Sequence, residues 1–578
     1  MTTNTIKAAK DYLNGLDSAP GRVRTFLESP EKGTTPHSCV LSVYDNNLFK
    51  LIKTTALDLK GGAGVKVVLD TFENRLLNST QWCFTLDSNH TDFNNITQLQ
   101  QAYLRTCISD IQIKVADSMI GPFDDGSVSI IESWQLFIEA LESGKSVSVD
   151  LSALRAAGTI NDKGLVATGP VGYGSTKDNS SSFWAVYFYI AEHIKKGDIY
   201  SLIQLLGCIN DTLRRGGFKR GIVCSSLKYT HPNFKEYLEC DITKVPGSHK
   251  KAARIDNGIV EFPDLIELIC TATNNQGIFW ERILEDGRFM NVCEGIRIHD
   301  RGTCLIWRVN LGKCENADDL VNAFVSATLN LCELHTTWRD SVGVKGESVL
   351  ALDEDTQIGV DVFGMANALS LWGINYAEFN QSLIDSLTWK QPSNKKSDQF
   401  VAALGKAYQE SVIVADAYMD SKCLPRLDYI HTVEPAQSHS YEAKDAKGNT
   451  LCRGIWPPLA RRTQRRSDTQ KNVMVKHGKV ETISEFGPDF NMELSNNYYN
   501  FMVKYSGKVH GVSSDDHMQA TPEWFTHWVL DMQTPAKYYT EFNSYNEQQY
   551  LRKRALVTNT PEVACSIANP GSCAVCAE

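Results

Sequence analysis

Apolar and polar positions change rhythm repeatedly along this chain of 578 residues. Ile111-Gln112-Ile113-Lys114-Val115 and Val147-Ser148-Val149-Asp150-Leu151 alternate at every second position. That is the period of a strand with one buried face. Between them, Ile130 to Glu142 spaces its apolar residues at helical intervals. The same strand–helix–strand rhythm recurs from residue 107 to 545 and predicts an α/β sheet or barrel. Residues 1–106 read as mostly helical pieces joined by loops, and residues 546–578 as a flexible tail of small residues with Pro and Gly. Gly61-Gly62-Ala63-Gly64 lacks the lysine of a phosphate-binding P-loop and reads as a turn. The basic run Arg461-Arg462-Thr463-Gln464-Arg465-Arg466 reads as a solvated loop. There is no repeat of fixed period.

Composition adds limits. Hydrophobic residues make up 42% and charged residues 22%, as in a globular protein with a large core. A net charge of -10 argues against nonspecific binding of nucleic acid, while leaving room for local basic sites. No apolar run approaches a membrane span, and the N-terminus lacks the apolar core of a secretory signal. A cytoplasmic location is therefore expected. There the 16 cysteines should rest reduced, so a disulfide would be catalytic rather than structural.

The candidate chemistry follows from the thiols. Cys293, in Asn291-Val292-Cys293-Glu294-Gly295-Ile296, precedes Cys304 by 11 positions. Two thiols can carry an electron pair by closing a disulfide, and a neighbouring carboxylate can move protons. The plainer alternative is a pair of buried cysteines acting as small hydrophobes. Cys573-Ala574-Val575-Cys576 stands two residues from the end of the chain. Half of a zinc site would need a second pair, so a swinging dithiol fits better.

Several segments, in order, resemble the catalytic subunit of ribonucleotide reductase over roughly residues 105–545 and the tail. Thr106-Cys107, followed by a β-rich run and Asp117-Ser118, is similar to the family's opening barrel strand. Ala167-Thr168-Gly169-Pro170-Val171 resembles its SGP-type turn. Gly216-Gly217-Phe218-Lys219-Arg220-Gly221 with His231-Pro232-Asn233 resembles its loop linking effector to substrate choice. Asn291 to Leu311 is similar to the block holding the radical cysteine. Thr356 to Ala366 matches the next strand and turn. Thr432-Val433-Glu434-Pro435-Ala436-Gln437-Ser438-His439-Ser440, with Gly454-Ile455-Trp456-Pro457, resembles the substrate phosphate turn and the stretch that follows it. The resemblance implies a ten-stranded α/β barrel preceded by an N-terminal, mostly helical region without an ATP-cone.

It also implies roles. Cys293 would be the thiyl radical that takes the ribose 3′ hydrogen. Asn291 and Thr106 would hold substrate, and Ala436, Gln437, Ser438, His439 and Ser440 would hold its phosphates. Cys107 and Cys304 would close a disulfide as the 2′ hydroxyl leaves as water, with Cys39 and Cys83 as alternatives to Cys107. Cys573 and Cys576 would reopen it and be reduced by a thioredoxin or glutaredoxin. Asp117, Ser118, Gly216, Gly217, Lys219 and Arg220 would read a nucleoside triphosphate effector at a homodimer interface. At one point the chain departs from the pattern. The family glutamate, two positions after the radical cysteine, is replaced by Gly295, and Glu294 stands one position early. On an extended segment that shift turns the carboxylate to the other face, and a bulge restores it, so Glu294 would be the general base. Asn330-Leu331-Cys332-Glu333 superficially repeats the motif in a helical stretch and is set aside.

Two features bear on the radical source. Lys537-Tyr538-Tyr539 resembles the tyrosine pair that receives a radical from a ferritin-like partner subunit. The short spacing from Cys293 to Cys304 resembles enzymes dependent on adenosylcobalamin. The compact, phage-like chain favours the partner subunit, with adenosylcobalamin as the alternative. No glycyl-radical motif ends the chain. The rival from another class is a noncatalytic protein using its cysteines for metal or packing. It predicts that Cys293 and Cys304 lie far from Cys107 and that the tail binds metal.

Overall fold

The computed structural model describes residues 39–60, 64–75, 82–85, 117–122, 127–156, 183–212, 222–245, 249–342, 350–388, 393–434, 443–458, 460–465, 473–486, 490–516 and 520–539, with a few single positions between them. The chain separates into two compact units, one of residues 42–227 and 231–250 and one of the remainder. The expected boundary between residues 106 and 107 lies outside the described residues, as does the strand expected at Ile111 to Val115.

Strand β1 (Cys39–Val43) has its first three residues in the second unit; the first unit continues with α1 (Leu48–Lys60) and β2 (Gly64–Val68). Tyr44 N–H donates to the Val68 carbonyl at 2.9 Å. A second sheet contains β3 (Trp82–Thr85) and β4 (Ser118–Ile120); then come α2 (Ser127–Glu142) and β5 (Val147–Asp150). β5 pairs in parallel with both β3 and β4. The helix and strand predicted around Ile130 and Val147 are therefore present. Helices α3 (Phe183–Lys196) and α4 (Ile199–Thr212) lead to β6 (Val223–Lys228), which pairs in parallel with β2.

The second unit begins with β7 (His249–Ile255), α5 (Pro263–Gln276) and β8 (Phe279–Arg282), with β7 parallel to β8. A two-residue hairpin follows, β9 (Phe289–Met290) against β10 (Arg297–Ile298). Next are β11 (Ile306–Asn310), α6 (Ala317–Val342) and β12 (Gln357–Phe363). The long α7 (Lys396–Ser421) connects to β13 (Tyr429–Val433). After the hairpin of β14 (Arg462–Arg465) and β15 (Val473–Lys476) come α8 (Phe490–Ser506) and β16 (Val509–Val512). Strands β11, β12, β13 and β16 form one parallel sheet in that order.

That sheet positions the site. All seven residues of β12 are buried, as parallel strands covered on both faces must be. Its core is shared with α6, α7 and α8 through Phe324, Leu404, Tyr408 and Tyr498. Phe324 meets Tyr408 edge to face, centroids 4.9 Å apart. Asn316 caps α6 by accepting from Asp319 N–H at 3.0 Å. The chain ends its described part with β17 (Ser514–Asp516) and β18 (Ala536–Tyr539), which pair in parallel, and β18 also pairs antiparallel with β8.

The basic run is a correction to the sequence pattern. Arg462 to Arg465 form β14, not a loop, because Val473–Lys476 supplies an antiparallel partner for its backbone. The second arm of the hairpin satisfies backbone groups that charge alone would leave to water. Asn330 to Glu333 lie within α6, as expected.

Candidate active site

The hairpin β9–β10 carries a loop of six residues, Asn291 to Ile296, and Cys293 stands at its tip. The loop is built by Asn291. Its backbone N–H donates to the Ile296 carbonyl (2.9 Å), and its carbonyl accepts from Glu294 N–H (3.0 Å). Its side-chain oxygen accepts from Gly295 N–H (2.8 Å) and Ile296 N–H (3.1 Å). Glu294 takes φ 58°, a left-handed conformation uncommon for a residue with a Cβ, and is fully buried. The loop is thus a closed turn held from inside by an amide.

The other face of that amide reaches the second thiol. Asn291 Nδ2 donates to Cys304 Sγ at 3.1 Å and to Glu434 Oε1 at 3.0 Å. Cys304 is buried, whereas Cys293 is half-buried. The two thiols expected from sequence therefore belong to one cluster with Asn291. The sequence reading gave no role to the three charges behind them. Arg308 Nη2 donates to Glu434 Oε2 at 2.9 Å, and Arg308 Nε lies 2.8 Å from Asp361 Oδ2. Strand register explains the second contact, because Arg308 on β11 is paired with Asp361 on β12. Asp361 Oδ1 accepts from Glu434 N–H (3.0 Å) and Val362 N–H (2.8 Å).

All three charged groups are buried, Arg308 at 8% exposure, Asp361 at 0% and Glu434 at 1%. Burial pushes both carboxyls above their ordinary range, and Arg308 pulls each partly back. Burial also opposes the charge on Arg308. Asp361, Glu434, Cys293 and Cys304 together outweigh it and hold the guanidinium above its usual value. Two carboxylates against one guanidinium leave a net negative charge out of water, which favours one proton shared by the pair near neutral pH.

Two glycines let these parts approach. A Cβ on Gly295 would stand 2.1 Å from Glu434 Cγ and 2.5 Å from its Oε1. A Cβ on Gly359 of β12 would stand 2.5 Å from Ile296 Cδ1. The loop lies on the sheet only because both positions lack a side chain. The Thr432 hydroxyl donates to the Gly295 carbonyl and ties the loop to β13.

Other expected residues stand as follows. Ser440 is buried. Asp117 is exposed and accepts from Ser146 N–H (2.9 Å) and Ser146 Oγ (2.7 Å). Those two hydrogen bonds hold its carboxyl below the usual range. Ser118 opens β4. Tyr538 and Tyr539 lie on β18, paired with Asp515 and Asp516 of β17. Cys39 opens β1, and the Leu41 carbonyl two residues on accepts from Arg301 N–H at 2.9 Å. Thr106, Cys107, Gly216, Gly217, Lys219, Arg220, Ala436, Gln437, Ser438, His439, Cys573 and Cys576 lie outside the described residues. The missed charges had a faint signal. Arg308 and Asp361 are single charges in otherwise apolar strands, and such lone charges call for partners on a neighbouring strand.

No protein-family model matches the sequence, and no curated protein does. Solved structures do match. A B12-dependent (class II) ribonucleotide reductase superposes with a TM-score of 0.60 at 10% identity, over 94% of this chain and 85% of that one. The anaerobic ribonucleotide reductase from Thermotoga maritima, in complex with dATP and CTP, gives 0.38 at 12% identity over 72% and 69%. The first likeness carries the fold: α/β with parallel sheets, of the ribonucleotide reductase barrel type. Among the described residues no helix is long and apolar enough to cross a membrane.

Proposed function

We propose that this chain is a ribonucleotide reductase catalytic subunit that makes 2′-deoxyribonucleotides with a thiyl radical at Cys293. The observation that carries this reading is one amide, Asn291, joining the Cys293 turn, the Cys304 thiol and a buried carboxylate. In the proposed reaction Cys293 takes the ribose 3′ hydrogen and later returns it. Cys304 and a second thiol supply two electrons and two protons, and the 2′ hydroxyl leaves as water while a disulfide forms. The second thiol is Cys107, with Cys39 as the alternative, whose strand β1 is bonded through Leu41 to the turn just before Cys304. Cys573 and Cys576 would reopen the disulfide and pass the electrons to thioredoxin or glutaredoxin.

The radical must reach Cys293 from outside the cluster, and Cys293 is the less buried of the two thiols. That accessibility fits adenosylcobalamin, the group named for the structural neighbour. When bound, adenosylcobalamin supplies a carbon radical. The chain's part is to hold the Cys293 turn rigid and to shield Cys304 until substrate enters. The alternative is a ferritin-like partner feeding Tyr538 and Tyr539. The Gly216–Arg220 loop with Asp117 and Ser118 would take a nucleoside triphosphate effector, at a homodimer interface.

The test is deoxynucleotide formation by the purified chain with dithiothreitol, ribonucleoside diphosphates or triphosphates, and adenosylcobalamin. Turnover lost in Cys293→Ser and Cys304→Ser supports the reading and names the radical source. Turnover only with a ferritin-like subunit supports the reading with the other source. Deoxynucleotide formation that survives Cys293→Ser would refute it.

A further inference from the structure

We propose that Glu434, and not Glu294, is the carboxylate that exchanges a proton with the substrate ribose, and that residue 295 is glycine to admit it. The inference rests on the reductase reading above and deepens it. Three observations carry it. First, Glu434 shares the Asn291 amide with Cys304: Nδ2 stands 3.0 Å from Oε1 and 3.1 Å from Sγ. A carboxylate two hydrogen bonds from the reducing thiol lies where a ribose between the thiols would meet it. Second, the Glu434 side chain fills the space of a side chain at 295. A Cβ there would overlap Cγ, Cδ and Oε1 at 2.1, 2.7 and 2.5 Å. The carboxylate has been delivered from β13 rather than from the loop. Third, among the described residues each Glu434 oxygen has one protein donor, Asn291 to Oε1 and Arg308 to Oε2. Each carboxylate oxygen can accept two hydrogen bonds, so both retain capacity for a substrate hydroxyl.

Glu294 has a different position. Its left-handed backbone and its bond to the Asn291 carbonyl make it the closing residue of the turn. Its substitution should disturb the loop without removing the proton carrier. Arg308 and Asp361 are positioning residues: they aim Glu434 and set its affinity for a proton.

The step balances without a further reagent. After Cys293 takes the 3′ hydrogen atom, Glu434 takes the proton of the 3′ hydroxyl while the 2′ hydroxyl, protonated by one thiol, leaves as water. The other thiol gives a hydrogen atom to C2′, disulfide formation releases one electron to the 3′ carbonyl as Glu434 returns its proton, and Cys293 returns the hydrogen atom to C3′. The carboxylate ends as it began; the dithiol is oxidised to the disulfide and the ribose is reduced.

The experiment uses the full chain with dithiothreitol, ribonucleotide and whichever radical source supports wild-type turnover. Four chains are compared: wild type, Glu434→Gln, Glu294→Gln, and the exchange Gly295→Glu with Glu434→Gly. Deoxynucleotide formation is read beside washout of tritium from the 3′ position and equilibrium binding of the nucleotide. Glu434→Gln should lower product formation by about 10²–10⁴-fold, the usual contribution of a positioned acid–base group. Nucleotide binding and 3′ washout should persist, which a merely misfolded site would not give. Glu294→Gln should keep turnover within about tenfold of wild type, well short of the loss expected for an acid–base group. The exchange should recover most of what Glu434→Gln loses, because it returns a carboxylate to the same space. Product formation by Glu434→Gln near the wild-type rate, or a full loss in Glu294→Gln with no recovery in the exchange, overturns the assignment and leaves the reductase reading intact. A wild type that makes no deoxynucleotide with either radical source overturns both.

Discussion

Replacing Arg308 by methionine removes the only cation holding two buried carboxyls in the described site, and its cost follows from proton bookkeeping. In the native protein Arg308 lies 2.8 Å from Asp361 and 2.9 Å from Glu434. At an effective dielectric of about 20, each contact is worth roughly 6 kcal/mol before desolvation. Desolvation of a buried ion costs several kcal/mol, so the gross figure is mostly cancelled. What the variant cannot avoid is protonation. With Arg308 the carboxyl pair needs to hold one proton; without it, both must be neutral. Taking up that extra proton at neutral pH costs about 4 kcal/mol for a carboxyl of ordinary pKa near 4, at about 1.4 kcal/mol per pH unit. The folded variant then binds two protons more than the unfolded chain, and one more than the folded wild type. Its stability relative to wild type must fall as pH rises, with a slope of about 1.4 kcal/mol per pH unit. The loss should almost vanish near pH 4. Native-state hydrogen exchange of peptides spanning β12 and β13 is the assay, because Val362 N–H and Glu434 N–H both donate to Asp361. Adding Glu434→Gln should recover much of the loss by removing one titrating group. A loss that is independent of pH, or one below about 1 kcal/mol at neutral pH, as a surface pair would give, would refute the reasoning.

Other outcomes follow from the same contacts. Gly295→Ala should displace Glu434 and destabilise by about 1–3 kcal/mol, read as a lower thermal midpoint. A Cβ in Gly359→Ala meets Ile296 Cδ1 at 2.5 Å, Ile306 Cγ1 at 3.1 Å and the Leu305 carbonyl at 3.2 Å, and should loosen the loop from the sheet at a cost of about 1–3 kcal/mol in denaturant unfolding. Phe324→Ala, at a fully buried site against Tyr408, should cost about 3–5 kcal/mol in denaturant unfolding. His431 is held neutral by burial, its pKa pushed down to about 3, with its ring bonded to Ser411 and Ser506. Its contribution is complete above the unfolded value of about 6.5 and is lost as pH falls toward 3. His431→Gln should therefore flatten the acid limb of the stability curve; an unchanged slope would count against a neutral buried histidine.

The sequence by itself determined the α/β class, because the switch between strand and helix periods needs no knowledge of neighbours. Ile130–Glu142 and Val147–Leu151 appear where their periods placed them, within a few residues. It also brought Cys293, Cys304 and Asn291 together in one short block, and in the structure the Asn291 amide reaches Cys304 Sγ. It could not determine which carboxylate joins them. Glu294 is the neighbour in sequence, yet the group that shares an amide with Cys304 is Glu434, 143 positions from Asn291 along the chain. Nor could it predict that Arg308 faces Asp361 on the neighbouring strand. That depends on register, and register is set by the packing of the whole sheet rather than by any local pattern. Gly295 states the division in one residue. In sequence it is the place where a family glutamate is absent; in the tertiary structure it is the space another glutamate occupies.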